Sequence, residues 1–315
     1  MTERRPLRAL LQAAFVAAVV WFGGAMVARQ WGEVSALRAS LRTDWAGVLA
    51  ASLAVLASYA VLIATWRGTV RAWGERLPAG EAARIWFISN LGRYVPGKVW
   101  QIGAMGVMAK QAGVAPEAAV GSALVVSLVH LLVGFAVVAV AGGSLLRHYV
   151  PAGSPLPAVL AALSAGVLAA PWLLPWVART ASRLTGRTFA VPALPPRAIW
   201  LAAAGSAVAW LLQGLGFHLL GAAVLGHATG DAASSVAVYT LSYQLGFVAL
   251  FAPGGIGVRE GTLHALLVTA GLATAPEATL LVVVSRLWLT VLEILPGGAL
   301  LLAAPAGSRP ASAPR

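Results

Sequence analysis

The sequence predicts an all-α polytopic membrane bundle, and three observations carry that reading. Of 315 residues, 59% are hydrophobic and 10% are charged, whereas soluble domains carry roughly 25% charged residues. Uncharged runs at 9–28, 45–66, 118–146, 148–178 and 198–230 reach the roughly 20 residues a helix needs to cross a bilayer. Two further apolar regions, near 82–111 and 232–273, are interrupted in the middle by proline and glycine.

The first full span is expected near 8–28. Arg4, Arg5 and Arg8 precede it as they would a secretory signal. Its uncharged stretch exceeds a signal core of about 7 to 15 residues, and no A-x-A site closes it, so a retained helix is expected. Further spans are expected near 45–66, 118–142, 156–178, 198–226 and 278–303. The first broken region turns at Tyr94-Val95-Pro96-Gly97-Lys98. Proline removes a backbone donor and glycine relaxes the helix, so the chain should turn inside the membrane there. Each half is about 14 residues, or about 21 Å of helix, short of a hydrocarbon core of roughly 30 Å. That favours a re-entrant hairpin. The second region turns at Ala252-Pro253-Gly254-Gly255-Ile256-Gly257-Val258-Arg259-Glu260; its leading half is long enough to span, so hairpin and span both remain open for it.

The chain also reads as two copies of one unit, over approximately 8–142 and 156–303. Asn90-Leu91-Gly92, Pro96-Gly97-Lys98 and Ala115-Pro116-Glu117-Ala118 are echoed by Gln244-Leu245-Gly246, Pro253-Gly254-Gly255 and Ala275-Pro276-Glu277-Ala278. Trp45 and Trp200 open the preceding spans at comparable distances from these prolines. Two spans, a broken hairpin and a third span make an odd number of crossings per unit, which predicts two inverted repeats whose hairpins enter from opposite faces.

Charge placement sets the expected orientation. With the N-terminus inside, Arg4, Arg5, Arg8, Arg67, Arg71, Arg76, Arg84, Lys110, Arg179, Arg183, Arg187, Arg197, Arg309 and Arg315 fall on the cytoplasmic side. Only Arg29, Arg38, Arg42 and Arg147 fall outside. The positive-inside rule then predicts both termini in the cytoplasm. The net charge of +12 is explained by these loops and by anionic head groups, so no nucleic-acid partner is expected. Residues 305–315, rich in Pro, Ala and Ser, are expected to be a disordered tail behind a transmembrane domain over 1–304.

Charges inside apolar segments are costly and mark the candidate site. Arg93 and Lys98 flank the Pro96-Gly97 break, where exposed helix-end amides and two cations suit a phosphate; snorkelling to head groups is the alternative. Arg259 and Glu260 follow a glycine-dense turn and either touch a ligand or neutralise each other. Arg286 and Glu293 are seven residues apart and share a helix face that should look inward. They are expected to meet Glu260 and Arg259 across the bundle, as a structural lock or as a gate. Asn90, Gln101, Gln213 and Gln244 are expected to bond between helices, and most tryptophans, Trp45, Trp66, Trp73 and Trp86 among them, to sit near span ends.

No cysteine is present, and His130, His218 and His264 lack metal-site spacing, so no metal or other cofactor is expected. Soluble-enzyme motifs such as G-x-S-x-G, H-E-x-x-H, a P-loop and an intact G-x-G-x-x-G are missing, and a non-enzymatic role is expected. A membrane-embedded transferase using Glu260 or Glu293 as base stays open.

Gly92-Arg93-Tyr94-Val95-Pro96-Gly97-Lys98 and Pro253-Gly254-Gly255-Ile256-Gly257-Val258-Arg259-Glu260-Gly261 resemble the paired signatures of the lysylphosphatidylglycerol synthase transmembrane family. That family, also called flippase-like, includes the membrane half of the multiple peptide resistance factor and stand-alone proteins. The resemblance implies a multi-pass protein of the cell membrane that moves a lipid or lipid-linked head group between leaflets. The substrate-binding set it implies is Arg93, Tyr94, Pro96, Gly97, Lys98, Pro253, Gly254, Gly255, Gly257, Arg259 and Glu260. No aminoacyl-transferase domain is seen, so synthesis of lysyl-lipid is not expected. The implied partners are anionic phospholipids, aminoacylated lipids or polyprenyl-phosphate carriers. The alternative is an accessory subunit that docks a glycosyltransferase or cell-envelope enzyme.

Overall fold

The computed structural model describes residues 43–92, 99–143, 153–185, 194–249, 255 and 257–302. Among them the protein is all-α, with no strand. Its helices are α1 (Trp45–Ala72), α2 (Ala79–Leu91), α3 (Val99–Gln111), α4 (Pro116–Ala141), α5 (Leu156–Thr185), α6 (Pro196–Leu225), α7 (Ala232–Val248), α8 (Val258–Thr269) and α9 (Ala275–Leu302). The expected first span and the expected tail lie outside the described residues.

Local chemistry sets the helix ends. The Asp44 carboxylate accepts from the Ala46 N–H at 3.0 Å at the start of α1, and Asp231 accepts from the Ser234 N–H at 2.9 Å at the start of α7. Each satisfies a donor that the helix itself leaves open. Proline begins α4 and α6, where a missing N–H costs nothing. α6 stops at Gly226, which takes a left-handed φ of 75°.

Four of these helices, α1, α4, α6 and α9, are long and apolar enough to cross a membrane. α1 runs past the expected end at 66 to Ala72, because Arg67 and Arg71 end the apolar run without interrupting the backbone ladder. In contrast α2 and α3 have 13 residues each, α7 has 17 and α8 has 12. At 1.5 Å per residue none exceeds about 26 Å, less than the hydrocarbon thickness. α2 packs on α3 and α7 on α8, so among the described residues both interrupted regions are short helical pairs.

The surface is apolar and the interior carries charge. Trp45, Leu49 and Leu53 form an exposed stripe on α1, and Leu201, Val208, Leu211 and Leu215 one on α6, while Arg259, Arg286 and Glu293 are all buried. In water such stripes would drive aggregation; in lipid they face their solvent.

α1 and α6 form the most extensive seam. They run antiparallel: the Asp44 N–H donates to the Ala223 carbonyl at 2.9 Å, Gly216 lies against Val55 and Ala51, and Gly205 against Thr65. Small residues let the backbones approach, which is how helices gain packing in a membrane. Around this seam α2 packs on α9, and α4 packs on α7. Each short pair thus rests on the last long helix of the other half.

Candidate functional site

Both short pairs are closed by the same local device. At the end of α2, a Cβ on Gly92 would lie 2.8 Å from the Gln101 nitrogen; at the end of α7, a Cβ on Gly246 would lie 2.8 Å from Arg259 Cβ. The absence of side chains brings the first turn of α3, or of α8, onto the helix before it. The matched glycines therefore make Gln101 and Arg259 spatial counterparts. Gly255 and Gly257 hold φ values of 71° and 86°, a region open to glycine and costly for other residues. A Cβ on Gly255 would also meet the Gly246 carbonyl at 2.7 Å.

In the first pair the polar groups satisfy each other: Gln101 Nε2 donates to Asn90 Oδ1 at 2.6 Å, and Asn90 Nδ2 donates to the Trp86 carbonyl at 2.9 Å. In the second, Arg259 is only 7% exposed, and its guanidinium lies 4.7 Å from the Tyr243 ring centroid and 5.5 Å from that of Tyr239. Among the described residues it has no ion pair and no hydrogen bond through its guanidinium. Tyr239 and Tyr243 are one helical turn apart on α7, so their rings form a continuous face for the cation.

Glu260, one residue on, is oriented by two contacts. One oxygen accepts from the Gly257 N–H at 2.7 Å and caps α8; the other pairs with Arg286 of α9 at 3.4 Å. Arg286 and Glu293 both point inward, as their spacing on one face requires. Glu293 accepts from the Tyr59 hydroxyl at 3.3 Å and does not pair with Arg259. Among the described residues the expected Arg259–Glu293 pair does not form, and each of the two charges has a tyrosine against it. Tyr59 itself packs against Trp86 and Phe87, with centroids 5.2 and 6.0 Å away.

Gln244 turns away from α8. Its Nε2 donates to the Leu131 carbonyl at 2.9 Å, and Trp210 Nε1 donates to the adjacent His130 carbonyl, also at 2.9 Å. Both groups fit into a notch left by Gly134, where a Cβ would clash with the Gln244 amide. The His130 ring stacks on Trp210 with centroids 4.3 Å apart.

Residues 9–297 match the family model of the lysylphosphatidylglycerol synthase TM region. The chain belongs to that family. The match runs through the nine described helices as far as residue 297 and takes in both short pairs. No curated protein matches it. With four helices suited to crossing a bilayer, this member of the lysylphosphatidylglycerol synthase TM family is a multi-pass membrane protein.

Of the expected site residues in this family member, Gly255, Gly257, Arg259, Glu260, Arg286 and Glu293 gather where α7, α8 and α9 meet. Arg93, Tyr94, Pro96, Gly97, Lys98, Pro253 and Gly254 lie outside the described residues. Sequence reasoning missed Tyr239 and Tyr243 as partners of Arg259, and Tyr59 as partner of Glu293. The chain has five tyrosines, and three of them serve these charges; scarcity of the residue was the available signal. Trp66 corrects the aromatic-belt expectation: it is 2% exposed and braces α4 by donating to the Ala119 carbonyl at 3.1 Å. His218 bonds Ser235 at 3.0 Å, and no metal-binding group of side chains occurs among the described residues.

Proposed function

We propose that this protein moves a phosphate-bearing head group, of an anionic phospholipid or of a lipid-linked carrier, between the leaflets of the cell membrane. Arg259 carries the reading. A guanidinium taken out of water loses several kcal/mol of hydration, and two tyrosine faces return about 0.5–2 kcal/mol each. The deficit is what a phosphate would supply, because it accepts a bidentate, charge-assisted pair from arginine. Gly257, two residues before the cation, has no atom within 4 Å of where a Cβ would stand, so backbone can approach a ligand on that side.

Alternating access between two inverted units fits this chemistry. Support comes from the antiparallel run of α1 against α6 and from the reciprocal rests of α2 on α9 and α4 on α7. The orientation in this reading has both termini in the cytoplasm, with the Arg93/Lys98 turn entering from that side and the Arg259 turn from the other. Transport needs positioning and no bond making, so the reading is non-enzymatic and uses no cofactor.

The test is reconstitution into liposomes with labelled phosphatidylglycerol, phosphatidylcholine and polyprenyl phosphate. Exchange of a phosphate-bearing lipid above protein-free vesicles, lost in Arg259→Ala, is the expected result. Exchange of none of them would overturn it. Co-purification with an envelope enzyme whose activity depends on this protein would then favour an accessory subunit.

A further inference from the structure

A second cationic site lies away from Arg259, at the corner between α1 and α2. A recess of about 670 Å³ is lined there by Arg67, Arg71 and Arg76, with Glu75 as its one acidic residue. Arginines at the end of a span are usually solvated loop charges that set topology, and one at a helix C-terminus is favoured by the helix dipole. Three features go beyond that.

The first is that the recess is built. The chain folds back over the end of α1 as the Trp73, Gly74 and Glu75 N–H groups donate to carbonyls of the last turn, and Gly74 takes a φ of 87°. Leu77 then inserts beside Trp66 and Val70 in a buried cluster, which anchors the far wall. The second is that Arg67 is aimed. Its Nε donates to the Leu77 carbonyl at 2.7 Å, leaving the two terminal nitrogens of the guanidinium for another acceptor. The third is that the charge is unbalanced. Among the described residues none of the three arginines makes an ion pair, while nearby Arg84 already has Glu81 at 3.5 Å. Cations gathered on a fixed wall repel one another, and an anion with several acceptor oxygens relieves that repulsion.

We propose that this recess docks a phosphate group at the membrane–water boundary, and that its occupant is the phosphate of a lipid head group. α1 is a spanning helix, so its end lies at the level of head groups. The recess sits at the outer end of the α2–α3 pair, on the side from which that pair enters the bundle. A head group held there stands at the mouth of the first hairpin before any passage inward. That role as a docking point rests on the translocation reading; the binding itself does not.

The experiment uses the full chain in phosphatidylcholine nanodiscs, with phosphatidylglycerol titrated in and bound lipid counted by native mass spectrometry. Arg71 and Arg76 are exposed, so Arg71→Gln/Arg76→Gln leaves the fold intact, and Arg71→Lys/Arg76→Lys keeps the charge as a control. At about fivefold per surface arginine, the Gln pair should weaken phosphatidylglycerol retention about 30-fold while the Lys pair retains most of it. Inorganic phosphate is then added as competitor. No displacement at millimolar concentration supports a lipid occupant, and displacement supports a phosphate site filled by a free anion. Retention unchanged in the Gln pair overturns the proposal. The two readings separate cleanly: Arg259→Gln should cut leaflet exchange, and in that background the Gln pair at Arg71 and Arg76 should still weaken phosphatidylglycerol retention relative to the Lys pair. Retention without any exchange by the native protein would sink translocation and leave the docking site standing.

Discussion

At the first turn of α3 stands Gln101, held by Asn90 in a neutral amide pair; at the matching turn of α8 stands Arg259, held by the faces of two tyrosines. Gly92 and Gly246 create the same close approach in both places, so the backbone plan is shared and the chemistry is not. Gln244, placed like Asn90, sends its amide to α4 and leaves Arg259 without the partner that Gln101 enjoys. Among the described residues, the difference teaches that the polar contact of the first pair is closed as structure while that of the second keeps a cation in reserve. Two sites with the same close glycine approach thus differ by the direction of one amide and the identity of one residue.

The sharpest break of this comparison is Arg259→Gln, which writes the first hairpin's chemistry into the second. Charge-assisted bonds to an anionic cargo are worth about 1.5–3 kcal/mol, so liposome exchange should fall about 10- to 100-fold with the melting temperature little changed. Retained exchange would show that Arg259 is structural. Next comes Glu260→Gln, which strands Arg286 in the interior. Breaking a buried pair costs about 3–5 kcal/mol, and side-chain exposures of 10% and 18% reduce this to about 2–3 kcal/mol. Glu260→Gln/Arg286→Met should recover most of it in denaturation of the purified protein.

Adding a Cβ to either glycine comes third. Gly92→Ala meets the main-chain nitrogen of Gln101, and Gly246→Ala meets Arg259 Cβ, each at 2.8 Å. Overpacking of this kind costs about 1–3 kcal/mol, and only the second change should also depress Arg259-dependent exchange. Equal exchange in the two variants would erase the functional contrast between the hairpins.

The smallest effect lies in the turn after α6, where His227 Nε2 meets Glu277 at 3.0 Å. The hydrogen bond to Glu277 holds His227 above its ordinary value of 6.5. The His227 contribution is full below pH 6.5 and is lost as pH rises through its raised value. Thermal stability should therefore fall slightly as pH rises through that value, and His227→Asn should flatten this fall.

The spans were legible because length and hydropathy are additive along the chain: 118–142 and 198–226 fall within two residues of α4 and α6. So were the breaks, since proline and glycine act locally; α2 stops at Leu91 and α7 at Val248, a few residues before the prolines. Helical spacing sufficed to bury Arg286 and Glu293 together. The cradle for Arg259 was not legible, because Tyr239 and Tyr243 lie on a different helix and nothing in their spacing says which cation will rest on them. Nor was the parting of Asn90 and Gln244. Only the notch at Gly134, on a helix more than a hundred residues earlier, makes the longer amide bond elsewhere.

Gly47, Gly205 and Gly216 bring α1 and α6 together near both ends and in between, with a main-chain bond at one end. No acyl tail can slip through a contact that tight, so this side of the molecule is a closed fence to the surrounding oil. If the proposed translocation holds, cargo enters sideways through a different gap, and the helices bordering that gap, rather than this sealed pair, decide which tails are admitted.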